Sequence, residues 1–237
     1  METTGLPEHR VVEVTDERTP LARRSIALIQ EAIWDVHPTG FLLRELEETR
    51  RGLARGGGYH LLAMLAPDGE APIAAAAGAY LQAVNAGFVS YLAVREDLRG
   101  RGLGGALREH LLETFRAQAR REGGTELANV LGEVERESAW LRRMVREGRV
   151  MPLDFPYFHP WMARRSEGYY ALYREPLADP RPELPSEEVA RYVEAIWRRA
   201  YRIHGPLQRD TYQYMLEQLK DRKTVGADPD FLRPLTS

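Results

Sequence analysis

Cysteine is absent from the 237 residues. That absence excludes disulfides, thiolate metal ligands and a cysteine nucleophile together. Lysine is almost absent too: only Lys220 and Lys223 occur, and arginine carries the rest of the positive charge. Neither sign of charge is in excess, since 33 basic and 35 acidic residues leave a formal net charge of −2. A nucleic-acid partner would call for a basic field that this balance does not supply. No apolar run approaches the ~20 residues of a membrane span, and the first residues lack the apolar core of a secretory signal. No histidines show the paired spacing of a metal site. No metal, no nucleic acid and no membrane partner are therefore expected, and residence in the cytoplasm. The length suffices for one sizeable core and an appendage.

What is present centres on Phe88 to Arg121. An apolar run, Phe88-Val89-Ser90-Tyr91-Leu92-Ala93-Val94, reads as a strand. Arg95-Glu96-Asp97-Leu98 is a polar turn, followed by Arg99-Gly100-Arg101-Gly102-Leu103-Gly104-Gly105. Then Leu103, Leu107, Leu111 and Phe115 recur every four residues, which predicts a helix running to Gly123-Gly124. Glycines at its start remove side chains where the first backbone N–H groups have no helical partner. Those donors and the positive end of the helix dipole attract an anion, and Arg99 and Arg101 add charge on the same turn. A phosphate or pyrophosphate is the natural ligand.

Glycines that merely make a tight turn are a weaker explanation, because four of six consecutive positions are glycine, with two arginines alongside. Gly100 to Gly105 also matches G-x-G-x-x-G, but a dinucleotide fold places that motif in its first βαβ unit. A P-loop is excluded, because no Lys-Ser or Lys-Thr follows the glycines. Arg99-x-x-Gly102-x-Gly104 matches the Q/R-x-x-G-x-G/A signature, and with Tyr91 to Leu98 before it the stretch resembles the GNAT superfamily of N-acetyltransferases. In element order the resemblance runs from about Val11 to Arg174; it is sharp from Tyr91 to Phe115.

The order of elements agrees. Arg10 to Val14 reads as a strand. Ser25–Val36 and Phe41–Ala54 are two helices broken at His37-Pro38-Thr39-Gly40. Tyr59–Leu65, Ile73–Val84 and the strand at Phe88 form an antiparallel meander with turns at Pro67-Asp68-Gly69-Glu70 and Asn85-Ala86-Gly87. Such a meander is foreign to a dinucleotide fold. Thr125–Val134 closes a βαβ unit with the strand at Phe88, so the two should be parallel neighbours. The fold class expected is α/β (α+β) with a mixed sheet, mostly antiparallel, and one splayed parallel pair. The GNAT domain should cover residues 8–176. A Pro-rich linker (177–185), a helical appendage (186–222, with Ser186 as N-cap) and a loose tail (223–237) complete the chain.

The resemblance implies acetyl-CoA as cofactor and direct transfer of acetyl to a small-molecule or peptide amine. It implies that backbone groups of Leu92, Ala93 and Val94 meet the pantetheine arm. Arg99, Gly100, Arg101, Gly102, Leu103, Gly104 and Gly105 should hold the pyrophosphate, with Asn129 also on the cofactor side. The family's fourth helix normally carries a tyrosine that protonates the departing thiolate. Here Glu137–Glu147 places Met144 at that position, and methionine has no proton to give. Glu133 and Glu135 share a face by period-two alternation and are candidates for base or for amine binding. Tyr91 and Tyr157 are candidates for the acid. Tyr157 and His159 lie in Pro152 to Trp161, whose prolines and aromatics suggest an irregular edge beside the acceptor site. Trp34 and Phe41 are expected in the core, and His37 in a loop. The substituted methionine keeps a non-catalytic acyl-CoA-binding module open as the alternative. A dinucleotide-dependent enzyme ranks below it, and the aromatic stripe of the C-terminal helices leaves a homodimer open.

Overall fold

The computed structural model describes residues 9–66, 69 and 71–232. Of the turn expected at Pro67 to Glu70, only Gly69 is among them, its N–H on the carbonyl of Ala66 at 3.2 Å. Pro67, Asp68, Glu70 and the tail residues 233–237 lie outside the described residues. Seven strands form one mixed sheet: β1 (Arg10–Glu13), β2 (Tyr59–Leu65), β3 (Pro72–Leu81), β4 (Ala86–Val94), β5 (Asn129–Glu135), β6 (Met151–Pro152) and β7 (Tyr170–Pro176). Their hydrogen-bonded order is β1-β2-β3-β4-β5-β7-β6, and the sheet includes a parallel pair. By compactness the chain divides into residues up to Tyr80 together with Val89–Arg121, and Leu81–Phe88 together with Glu122 onward.

The first unit holds β1 to β3 as an antiparallel meander, with Arg10 opposite Leu65 and Tyr59 opposite Ala79. Helix α1 is Pro20–Ala32, longer at its start than the spacing predicts. Thr19 caps it by accepting the N–H of Ala22 (3.2 Å), and Pro20 fits the first turn because that turn wastes no N–H. Helix α2 is Thr39–Arg50. Ile26, Ile29, Leu42 and Leu46 are buried, as the stripe requires, but Trp34 is 70% exposed. α1 ends at Ala32, so Trp34 falls past the helical face that would have carried it inward. Helix α3 (Leu103–Gly123) buries Leu103, Leu107, Leu111 and Phe115. Beneath it the buried His60 on β2 bonds Glu13 through Nδ1 (2.7 Å) and Gln118 of α3 through Nε2 (2.5 Å).

In the second unit β5 pairs antiparallel with β7, Glu133 opposite Leu172, and β7 pairs with β6. β5 starts at Asn129, later than predicted, because Asn85 takes the residues before it: its amide donates to the carbonyl of Glu126 (2.8 Å) and its carbonyl accepts from Ala128 (3.1 Å). Helix α4 (Ala139–Arg146) is capped by Ser138 and buries Leu141 and Met144 against Val150, Ala171 and Tyr173. The expected linker and tail are both tied down. Strand β8 (Leu184–Pro185) pairs with β9 (Thr224–Val225), and the Asp228 N–H reaches the carbonyl of Pro152 (2.8 Å). The tail from Lys223 to Leu232 is therefore held rather than loose. Helix α5 (Ser186–Ala195) follows Pro185, and Ser186 is its first residue, without a capping bond. It continues as a π-helical turn, Ile196–Ala200, and α6 (Asp210–Lys220) returns along it. Val189, Tyr192, Val193, Ile196 and Trp197 are all buried, so the stripe is satisfied within this unit.

Candidate acyl-transfer site

The glycine turn is built as the sequence requires. Gly100 and Gly102 have φ of +79° and +81°, a region closed to most side chains, and a Cβ at either would stand in open space. The carbonyl of Gly102 accepts the N–H of Ala106 (3.1 Å), so α3 starts directly from the turn. Its first amides have no helical acceptor and point out of the N-terminus. Arg99, Gly100, Arg101, Gly102 and Gly105 are exposed while Leu103 is buried. Leu103 thus anchors the helix end and leaves the amides around it open. Arg99 folds back onto the carbonyl of Val94 (3.2 Å), linking the turn to β4.

A Cβ on Gly104 would lie 3.2 Å from Leu92 and 3.4 Å from Val94. Those two side chains therefore face α3, and Tyr91 and Ala93 face the opposite side. There the Tyr91 hydroxyl accepts the backbone N–H of His37 (3.2 Å) and bonds its Nδ1 (2.7 Å). His37 is buried and its ring stacks on Phe41 at 4.1 Å. It is a fixed partner of Tyr91, not a plain loop residue. Nothing local in the sequence links two residues 54 positions apart.

In the second unit Glu133 and Tyr157 meet. The Tyr157 hydroxyl donates to Oε2 of Glu133 at 2.5 Å, and Nε2 of His159 stands 3.6 Å from Oε1. All three side chains are largely buried. Burial first, then the charge and hydrogen bond of Glu133, push the Tyr157 phenol well above its usual range. Glu135 is separate: it is exposed and accepts from the Tyr169 hydroxyl (2.7 Å). Asn129 departs from expectation. Its amide donates to Tyr192 (3.0 Å) and its carbonyl accepts from the fully buried Arg174 (2.6 Å), so both ends serve the interior. Met144 packs among Leu141, Val150, Ala171 and Tyr173 and has no proton of its own to give. Among the described residues no group of acidic and histidine side chains could hold a metal ion, and no helix is long and apolar enough to cross a membrane.

Residues 26–131 match the family model described as acetyltransferase (GNAT) family. This chain carries a GNAT-family acetyltransferase domain. No curated protein matches the sequence. Among solved structures, the GNAT fold recurs in the ribosomal-protein-S18-alanine N-acetyltransferase of Escherichia coli. It is 13% identical with a TM-score of 0.50, over 72% of this chain and 95% of that one. A GNAT-family acetyltransferase of Desulfovibrio desulfuricans is 16% identical with a TM-score of 0.51, over 71% and 99%. The NatC complex, solved with Gag peptide and CoA, gives 14%, 0.50, 71% and 99%. At such identities the likeness is one of fold.

Proposed function

We propose that this chain is an acetyl-CoA-dependent N-acetyltransferase acting on a small-molecule or peptide amine. The observation that carries the proposal is the positive-φ turn of Gly100 and Gly102, opening α3 beside the exit of β4 with clear space above it. An anion with two adjacent phosphates suits that turn: several amides converge, the helix dipole points at it, and Arg99 and Arg101 supply counter-charge. Backbone groups of Leu92, Ala93 and Val94 would align an extended arm. The cofactor contributes one thing, an activated acyl thioester. The rest falls to the chain. Glu133 takes the proton that the acceptor ammonium must lose, since only the neutral amine attacks. Glu135, at the exposed end of the same strand, attracts the cation. With a thioester bound, forming the C–N bond and breaking the C–S bond would release a second proton from the nitrogen to solvent, which restores the acid, and would require that acid to protonate the leaving sulfur. Tyr157 keeps its own proton on Glu133, so Tyr91, backed by His37, is assigned that step. Positioning and backbone donors supply the remaining rate enhancement.

The second reading is an acyl-CoA-binding module without turnover, favoured by Met144, which is buried and which the resemblance puts at the position of the family's proton donor. Calorimetric titration with acetyl-CoA, NADH and NADPH tests the cofactor. Micromolar binding of acetyl-CoA is expected, weakened about tenfold or more by Gly102→Val, because a β-branched residue is strained at this φ. Binding of a nicotinamide nucleotide in its place would overturn the assignment. Release of CoA thiol with a tripeptide, spermidine or an aminoglycoside then separates the enzyme from the binding module.

A further inference from the structure

We infer that His159 is a positioning residue for Glu133, fixed as the neutral tautomer with its proton on Nε2, so that the carboxylate is held through both oxygens. The inference rests on the role proposed above for Glu133. Its starting point is a backbone group. The N–H of Trp161 donates to Nδ1 of His159 at 3.3 Å. A ring nitrogen that accepts a hydrogen bond carries no proton, so in neutral imidazole the proton is on the other nitrogen. That nitrogen, Nε2, faces Oε1 of Glu133 at 3.6 Å, while Tyr157 donates to Oε2 at 2.5 Å. One donor therefore addresses each oxygen. The His159 contact is longer than a hydrogen bond at rest. Catalytic hydrogen bonds of this kind commonly tighten only when substrate is in place.

The ring has little freedom to do anything else. His159 is 3% exposed. Tyr170 of β7 lies 5.7 Å away, and Tyr201 meets it edge-on at 4.7 Å. Tyr201 is the residue directly after the π-helical turn, its N–H on the carbonyl of Ile196 (3.2 Å). A π turn inserts an extra residue and re-aims the side chains beyond it, and such turns recur at functional sites. The C-terminal helices thus supply a wall for His159, His159 faces Glu133, and Glu133 takes the acceptor's proton. A carboxylate that must receive a proton from one direction gains from having its other lone pairs occupied and its rotamer fixed.

Long-range proton–nitrogen correlation spectra of the full chain, labelled at histidine nitrogen, test the contact without any substrate. The His159 signals are those lost in His159→Gln. At pH 8 they should show the Nε2–H pattern, and Glu133→Gln should move them. An Nδ1–H pattern, or signals indifferent to Glu133→Gln, would overturn the inference. Turnover on the best acceptor of the panel tests the consequence. His159→Leu should lower kcat by about 10- to 100-fold, leave KM for acetyl-CoA unchanged, and be largely rescued in His159→Gln, which keeps an N–H at similar reach. Full kcat in His159→Leu, with Glu133→Gln inactive, sinks the inference and leaves Glu133 in its role. Full kcat in both removes Glu133 from the mechanism, and the positioning role of His159 with it.

Discussion

Glu133 and Tyr157 form a hydrogen-bonded pair out of reach of bulk water. The Glu133 side chain is 8% exposed, and its Oε2 accepts the Tyr157 hydroxyl at 2.5 Å. A carboxylate out of water needs its acceptor sites filled. Tyr157→Phe leaves one oxygen without that donor while hardly changing shape. The expected cost is about 1–3 kcal/mol in urea unfolding at pH 8, the range for stranding a buried polar group. Glu133→Gln removes the charge, so adding Tyr157→Phe to it should cost less than half as much. A double-mutant cycle reads the difference, and a coupling near zero would show that the two groups act independently. Neither residue announces this partnership locally, because they lie 24 positions apart with an irregular proline-rich segment between them. Their residue types could be nominated from strand alternation and aromatic density; their hydrogen bond could not.

Elements were legible where the signal is local. The Leu103–Phe115 stripe and the glycines before it describe α3 and its anion-facing turn at a spacing of a few residues. Pro180, Pro182 and Pro185 likewise mark a stretch that cannot extend a regular helix or central strand, yet they say nothing about how firmly it is held. Here a side chain from elsewhere decides. Arg174 on β7, fully buried, donates to the carbonyls of Asp179 and Arg181 and to Asn129 Oδ1, and pairs with Asp179 Oδ2 at 3.1 Å. The Asp179 carboxyl is held at about 2, mainly by its hydrogen bonds to Arg181 and with Arg174 adding to the effect. An arginine near the end of a strand gives no sequence hint of which loop it will grip. Asp179→Ala would leave the buried guanidinium without its countercharge, and breaking such a pair from one side costs about 3 kcal/mol. Urea unfolding at pH 7 measures it. A loss below about 1 kcal/mol would mean that the carbonyls and Asn129 suffice.

Across the whole molecule the formal charge nearly cancels, so the pH response must come from individual pairs rather than from net repulsion. Several carboxyls are held below their ordinary values chiefly by side-chain hydrogen bonds from a neighbour: Glu13 by His60, Glu17 by Arg50, Asp97 by Arg95, and Asp179 by Arg181. Each binds fewer protons folded than unfolded, so the unfolded chain takes up protons first as acid is added. Stability is then fully present above the ordinary values of 4.5 for Glu and 3.8 for Asp and is lost as pH falls through the lowered ones. Pairs on the open surface contribute little to that loss because water screens them. The Glu13–His60 pair differs, since the ring is buried and bonded at both nitrogens, to Glu13 and to Gln118 of α3. Glu13→Gln should therefore lower the urea midpoint at pH 7 and flatten the fall below pH 4.5, its curve meeting that of the parent chain once both carry a neutral side chain there. Midpoints measured at pH 7, 5, 4 and 3 decide it. Parallel curves displaced by a constant amount would assign the stabilisation to packing of His60 and leave the Glu13 charge no part in the acid response.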